Sequence, residues 1–330
     1  MIENWKFETD AQKEALLNEL KGHLFEFLVG SALARSYGIE ADFLHSLTRD
    51  DLDRLAHYER WVRENDKNLA RHLPLLASMA SKALLERAPK DVVKVKISAR
   101  DSEDSESDIT LEAKSETRGI SLKLCKENAF VNTKSGGVLS FMSKYFGPHF
   151  NEAKQWQAAI NNEVDQSFLQ MGATLYELAG IEGFEGEFDE RWRESGHSHL
   201  PGQLPMPMRE ALFEHYSRVI SKIHEAFHYF FKKDLMSFKS ALWPIVGLGA
   251  ENIMQMICTY PDNLEQARVH IFDSTDLTST LDSMSLGELV SGLASFELRL
   301  ADAELQIRVK PMNAFTGRAL KVNCSVRRRR

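Results

Sequence analysis

The chain has 330 residues, 43% of hydrophobic type and 27% charged, enough apolar material for one large core or two smaller ones, and it is not disordered, collagen-like or fibrous. Its 41 Lys and Arg against 48 Asp and Glu give a net charge of -7, which argues against a generic nucleic-acid coat protein. The charge is uneven: Ile307 to Arg330 holds eight basic residues and no acidic one, so residues 1–306 carry -15.

Thr9 opens a first helix through a Thr-Asp-Ala-Gln capping box, and Gly38 is placed to end it. Leu17, Leu20, Leu24 and Leu28 form its apolar stripe. From Leu24 to Ala34 it is apolar on nearly every side except at Glu26, and a buried lone carboxylate needs a partner. A second helical region is expected from Thr48 to about Leu69, resuming at Pro74 and running to Arg87. VVKVKISA (92–99) then alternates at period two, and an acidic SEDSE stretch follows. SDITLEAK and GISLKL read as two strands of a hairpin about a turn at 115–118.

NTKSGG (132–137) reads as a loop, VLSFMSKYF as a short helix, and Asn151 to Leu178 as a long one. Gly180 to Pro207 is a long loop or break, rich in Gly and Pro. Helix returns from Pro207 to Lys233. Beyond it come a short strand at Ala267–Asp273, a helix near Ser285–Ala294, and strands in FELRL, ELQIRVK and RALKVNCSV.

Pairing the hairpin about its turn sets Asp108 opposite Lys123, with Ser121 on the same face as Lys123. A carboxylate beside an ammonium suits phosphodiester hydrolysis. The carboxylate binds a hard divalent cation that polarises the phosphate and acidifies water, and the lysine orients that water. Glu26 is a candidate second carboxylate for the same metal, which would explain its burial.

The order of these elements is a helix with an embedded carboxylate, a strand, a strand opening with Asp, an apolar strand ending in Lys, then a helix. It resembles the nuclease core of the PD-(D/E)XK superfamily, specifically the type II restriction endonucleases. KGHLFEFLVG, SDITLE, GISLKL, AFVNTKSGGVLSFMSKYF and RVKPMNAFTGRALKVNCS look like blocks of such enzymes, covering the core well and the middle third poorly. The resemblance implies that Asp108 is the metal-binding aspartate, Lys123 the motif lysine and Glu26 the accessory carboxylate. It departs from the family at Ser121, where Glu or Asp is usual and a hydroxyl supplies neither the charge nor the ligation. Either Glu26 supplies the missing ligand, with Ser121 acting through water, or the site is weaker or inactive. The first reading is preferred.

Glu112-Ala113-Lys114 also spells E-x-K, but it follows Asp108 too closely for a turn, and Glu112 and Glu116 are read as solvated. His224-Glu225-Ala226-Phe227-His228 is a literal H-E-x-x-H that could bind zinc as a metallopeptidase, with Glu251 as a conceivable third ligand. Helix packing is the preferred role of these histidines. His197 and His199 are read as solvated, and Trp156 and Phe168 as core. Asn132, Thr133, Lys134 and Ser135, before two glycines, could approach a phosphate, and Arg318, Lys321 and Asn323 are candidate base readers.

Three widely spaced cysteines, Cys125, Cys258 and Cys324, exclude a disulfide framework and a four-cysteine zinc site and fit a reducing cytoplasm. No apolar run approaches the roughly 20 residues of a membrane span, and MIENWKFETD lacks the plan of a signal peptide.

The expected protein is therefore α/β, with a PD-(D/E)XK restriction-endonuclease-like core whose central mixed β-sheet is flanked by helices, and a helical insertion. Residues 1–150 would form the nuclease core, 151–235 a helical region with the Gly/Pro-rich loop, and 236–330 the strands completing the sheet and helping to bind DNA. By resemblance it would be a Mg2+-dependent, sequence-specific, cytoplasmic endonuclease on double-stranded DNA. It would work as a homodimer reading palindromic sites, beside a cognate methyltransferase. A non-catalytic DNA-binding protein is the other alternative.

Overall fold

A computed structural model describes residues 10–98, 107–126, 130–247, 253–260, 266–273, 283–290, 292–301 and 303–328. The chain divides into two compact units, Met1–Ala129 with Ala250–Leu277, and Phe130–Gly249 with Thr278–Arg330. The single central sheet expected from the sequence is two five-stranded sheets, one mixed and one antiparallel, each with its own helices. Thr9, the SEDSE stretch and Glu251 lie outside the described residues.

In the first unit α1 spans Asp10–Ser36, α2 Glu40–His45, α3 Arg49–Asn65 and α4 Lys67–Arg87. Its strands are β1 (Val92–Ile97), β2 (Ile109–Ala113), β3 (Thr117–Lys126), β5 (Ile253–Tyr260) and β6 (Arg268–Phe272), in the order β1-β2-β3-β5-β6. Only β3 and β5 run parallel. The second unit's strand β4 (Val131–Gly137) lies between them in sequence.

The stop expected before Pro74 occurs earlier. Asp66 caps α4 by accepting the Leu69 N–H at 2.9 Å, and Pro74 sits inside the helix. Thr48 and Asp51 form a reciprocal capping box at the start of α3. The buried stripe of α1 is Leu20, Leu24, Val29 and Leu33, and it meets Leu73, Leu76, Ala80 and Leu84 of α4. Both helices cover the sheet face formed by Val95, Ile109, Leu111, Ile120, Leu122, Met254 and Met256. On β3 the alternation therefore turns Ser121 and Lys123 to the opposite face.

In the second unit α5 (Val138–Tyr145), α6 (Ala153–Leu178), α7 (Glu190–Glu194), α8 (Met206–Lys233) and α9 (Leu235–Leu242) accompany a second sheet. That sheet holds β4, β7 (Ser285–Leu289), β8 (Ser295–Arg299), β9 (Ala303–Pro311) and β10 (Leu320–Arg328), in the order β4-β10-β9-β8-β7. Two expectations are corrected. NTKSGG is strand β4 rather than a loop, because β10 supplies its ladder, and Ser285–Leu289 is strand rather than helix, paired with β8.

Buried Gln157 ties α6 to α5, its Oε1 accepting the Met142 N–H at 2.8 Å and its Nε2 donating to the Val138 carbonyl at 2.9 Å. Gln157→Ala strips both partners from buried backbone. It is expected to lower unfolding free energy by about 1–3 kcal/mol in urea titration; an unchanged midpoint would show that the bonds are replaced by solvent.

Candidate active site

The chain entering β2 crosses closely over β3. A Cβ on Gly119 would lie 2.9 Å from Ser107 Cβ, so the close approach requires glycine. Ser107 and Asp108 precede the strand, where the Asp108 N–H donates to the Ile120 carbonyl at 2.8 Å and its carbonyl accepts the Ser98 N–H at 3.0 Å.

The hairpin pairs Ile109 with Ile120 and Glu112 with Thr117. Continued by one pair, this register sets Asp108 opposite Ser121 and not opposite Lys123, because β3 begins at Thr117, two residues before the expected start at Gly119. The outcome for the side chains is close to that expected. Asp108 Oδ2 accepts the Leu122 N–H at 2.5 Å, lies 3.4 Å from the Ser121 hydroxyl and 3.5 Å from Lys123 Nζ. Its other oxygen has no hydrogen-bond donor among the described residues.

Glu26, on α1, touches neither residue in a hydrogen bond or ion pair among the described residues, but it feels the charges of both Asp108 and Lys123. Its side chain is 18% exposed, and its Oε2 lies 3.3 Å from His23 Nδ1. Burial pushes the Glu26 carboxyl up, and the negative charge of Asp108 adds to this, while His23 and Lys123 oppose it. His23 is raised in turn, first by its hydrogen bond to Glu26. His23 was not picked out from the sequence; the available signal was its position three residues before a carboxylate in an apolar helix.

Beside this pair lies a groove of about 450 Å3, with Phe27, Leu55 and Tyr58 in its walls and Arg54, Lys94 and Lys96 also lining it. Glu112 of the literal E-x-K pairs with Lys96, and Glu116 with Arg118.

Among the described residues no group of three His, Cys, Asp or Glu side chains is placed to hold a metal. Mg2+ keeps several waters and commonly takes only one or two protein carboxylates, so the donor chemistry of Asp108, with or without Glu26, suits it. A cation there would also answer the charge that burial disfavours on Glu26. The Ser121 hydroxyl, itself 8% exposed, serves as a donor to Asp108 and not as a replacement carboxylate.

The other candidate residues lie in the second unit. Ser135 donates to Asn323 Oδ1 at 2.9 Å, and the Thr133 hydroxyl donates to the Ile245 carbonyl at 2.8 Å, while Lys134 pairs in register with Cys324 and Asn132 with Ser325. Arg318 is a brace, donating to the Gly186 carbonyl at 3.1 Å and lying 5.4 Å from the Phe168 ring centre. Lys321 stands opposite Lys310.

On α8, His224 Nε2 is 2.9 Å from the Gly287 carbonyl and its ring packs against Phe296, while Glu225 pairs with Lys222. His228 is exposed and does not share this packing; the buried stripe is Val219, Ile223, Ala226, Phe227 and Phe230. His197 packs against Trp192 at 5.5 Å between ring centres, not solvated as expected, whereas His199 is exposed. Phe168 is buried and Trp156 packs on Tyr229. Burial pushes the Cys125 thiol up to about 11, away from the range of a reactive thiolate. Among the described residues no helix is long and apolar enough to cross a membrane.

No protein-family model matches the chain, and no curated protein matches it.

Proposed function

We propose that the first unit is a Mg2+-dependent endonuclease that cleaves double-stranded DNA at a specific sequence, as a type II restriction enzyme does. The observation that supports the reading is the placement of Lys123 Nζ 3.5 Å from Asp108 Oδ2 at the strand entry, with the half-buried Glu26 of α1 within electrostatic reach of both. Asp108 and Glu26 would hold the cation, which when bound would polarise the scissile phosphate and acidify the attacking water.

The Leu122 N–H and the Ser121 hydroxyl hold Asp108 in place. Lys123, fixed on β3 beside Asp108, orients the water for in-line attack and offsets the charge that develops on the phosphate oxygens. The bond to the 3′ oxygen breaks, leaving a 5′-phosphate. Recognition of a palindrome by a homodimer, protection of host DNA by a partner methyltransferase and a cytoplasmic location belong to the same proposal.

Incubation with plasmid or phage DNA tests it. Discrete fragments are expected with Mg2+ and none with a chelator, and Lys123→Ala should cut about 100-fold more slowly. Intact DNA in both Mg2+ and Mn2+, or full activity in Lys123→Ala, would sink the reading.

A further inference from the structure

The second sheet is two-faced. Leu305, Ile307 and Val309 on β9 and Val322 and Cys324 on β10 are buried, and α8 packs against β8 and β9. Alternation turns Arg308, Lys310, Lys321 and Asn323 to the other face. There Lys310 is the direct cross-strand partner of Lys321, and Arg308 of Asn323, with Ser295 of β8 on the far side of Arg308.

Three cations are thus gathered on adjacent positions of two strands, and like charges directly opposed across a ladder weaken a sheet. Among the described residues none of the three is ion-paired with a carboxylate. The nearby acids are engaged elsewhere, Glu304 with Arg327 and Glu297 with Gln306. Burial, then Arg308 and Lys321, lower the Lys310 ammonium below its ordinary value, the direction expected of a cation held among cations. An edge charge that merely keeps strands apart would be exposed and alone, whereas these sit on the two inner strands β9 and β10 and are only partly exposed.

We propose that this polar face of the second sheet binds the phosphate backbone of duplex DNA through Arg308, Lys310 and Lys321. Phosphates supply the negative charge that the face lacks, and side chains two apart on a strand lie about 6.6 Å from one another, a step suited to successive backbone phosphates. The choice of DNA over another polyanion rests on the nuclease reading of the first unit; the charge cluster does not.

The test is fluorescence anisotropy of a labelled duplex with the full chain in chelator, across a salt series. The double variant Lys310→Gln/Lys321→Gln is expected to bind at least about 10-fold more weakly, with a salt slope smaller by about two. Relief of the like-charge contact should leave its melting temperature equal to or above that of the parent. A control that removes the same charge from exposed helix positions, Lys67→Gln/Lys154→Gln, should bind as the parent does. Equal losses in the two double variants, or no loss in the first, overturn the proposal. If the parent cuts DNA while the first variant binds unchanged, this inference falls and the nuclease reading stands. If the parent binds through this face but never cuts, the reverse holds. Failure of the parent to bind duplex in chelator overturns this inference, and digestion with Mg2+ decides the nuclease reading separately.

Discussion

Asp108→Asn should yield a folded protein that binds duplex DNA and no longer cuts it. The substitution keeps an oxygen in place to accept the Leu122 N–H, the shortest of the three contacts to Oδ2, so the hairpin retains its geometry. What is lost is the negative charge. An amide oxygen ligates a hard cation more weakly than a carboxylate does, and it leaves Lys123 without its counter-charge at 3.5 Å. The rate in Mg2+ is expected to fall on the order of a thousandfold, about 4 kcal/mol of lost transition-state stabilisation. Binding in chelator should be equal or tighter, because a negative charge near the phosphates has been removed. Gel analysis of single-turnover cleavage beside anisotropy separates the two effects. Retention of more than a tenth of the parental rate would remove Asp108 from the chemistry.

The hairpin that holds Asp108 was legible because both strands carry local signals: a polar turn, β-branched and apolar residues, and an Asp at the entry. Its register was less legible. A two-residue difference in where β3 begins moves Asp108 from Lys123 to Ser121, and side-chain reach restores the contact with Lys123. The inner strand β5 carries no period-two alternation in the sequence, because Met254, Gln255, Met256, Ile257 and Cys258 are all buried. Strand β4 reads as a loop from its Asn, Ser and Gly residues, because it is an edge whose structure comes from β10, far away in sequence. The like-charge pair Lys310 and Lys321 could be found only after β9 and β10 had been paired; each lysine alone is an ordinary strand residue. Glu26 was conspicuous as the one acid in an apolar stretch, and only the fold brings it within electrostatic reach of Asp108.

Glu26→Gln should make the metal-free protein more stable at alkaline pH while abolishing most of its cleavage. Burial and Asp108 raise the folded-state pKa of Glu26 above its unfolded value, so its contribution to stability is full below the unfolded pKa and is lost as pH rises through the folded one. His23 has the same sign, being raised, and its support for the pair is lost as the imidazole deprotonates. Above the pH at which His23 deprotonates, the parent therefore carries a half-buried carboxylate without its cationic neighbour, and a neutral amide of the same shape removes that cost. The melting temperature of Glu26→Gln in chelator should exceed the parent's at pH 8, with the difference shrinking towards pH 6, where protonated His23 compensates Glu26. It should be smallest at acid pH, below the unfolded pKa, where the carboxyl is protonated in both states. Added Mg2+ should then raise the parent's melting temperature by binding the native state, and raise the variant's less. Cleavage in Mg2+ is expected to drop several hundredfold, about 3–4 kcal/mol, since one of two carboxylates for the cation is gone. A variant that melts below the parent at pH 8 and gains as much from Mg2+ would mean that Glu26 is a structural partner of His23 and no part of a metal site.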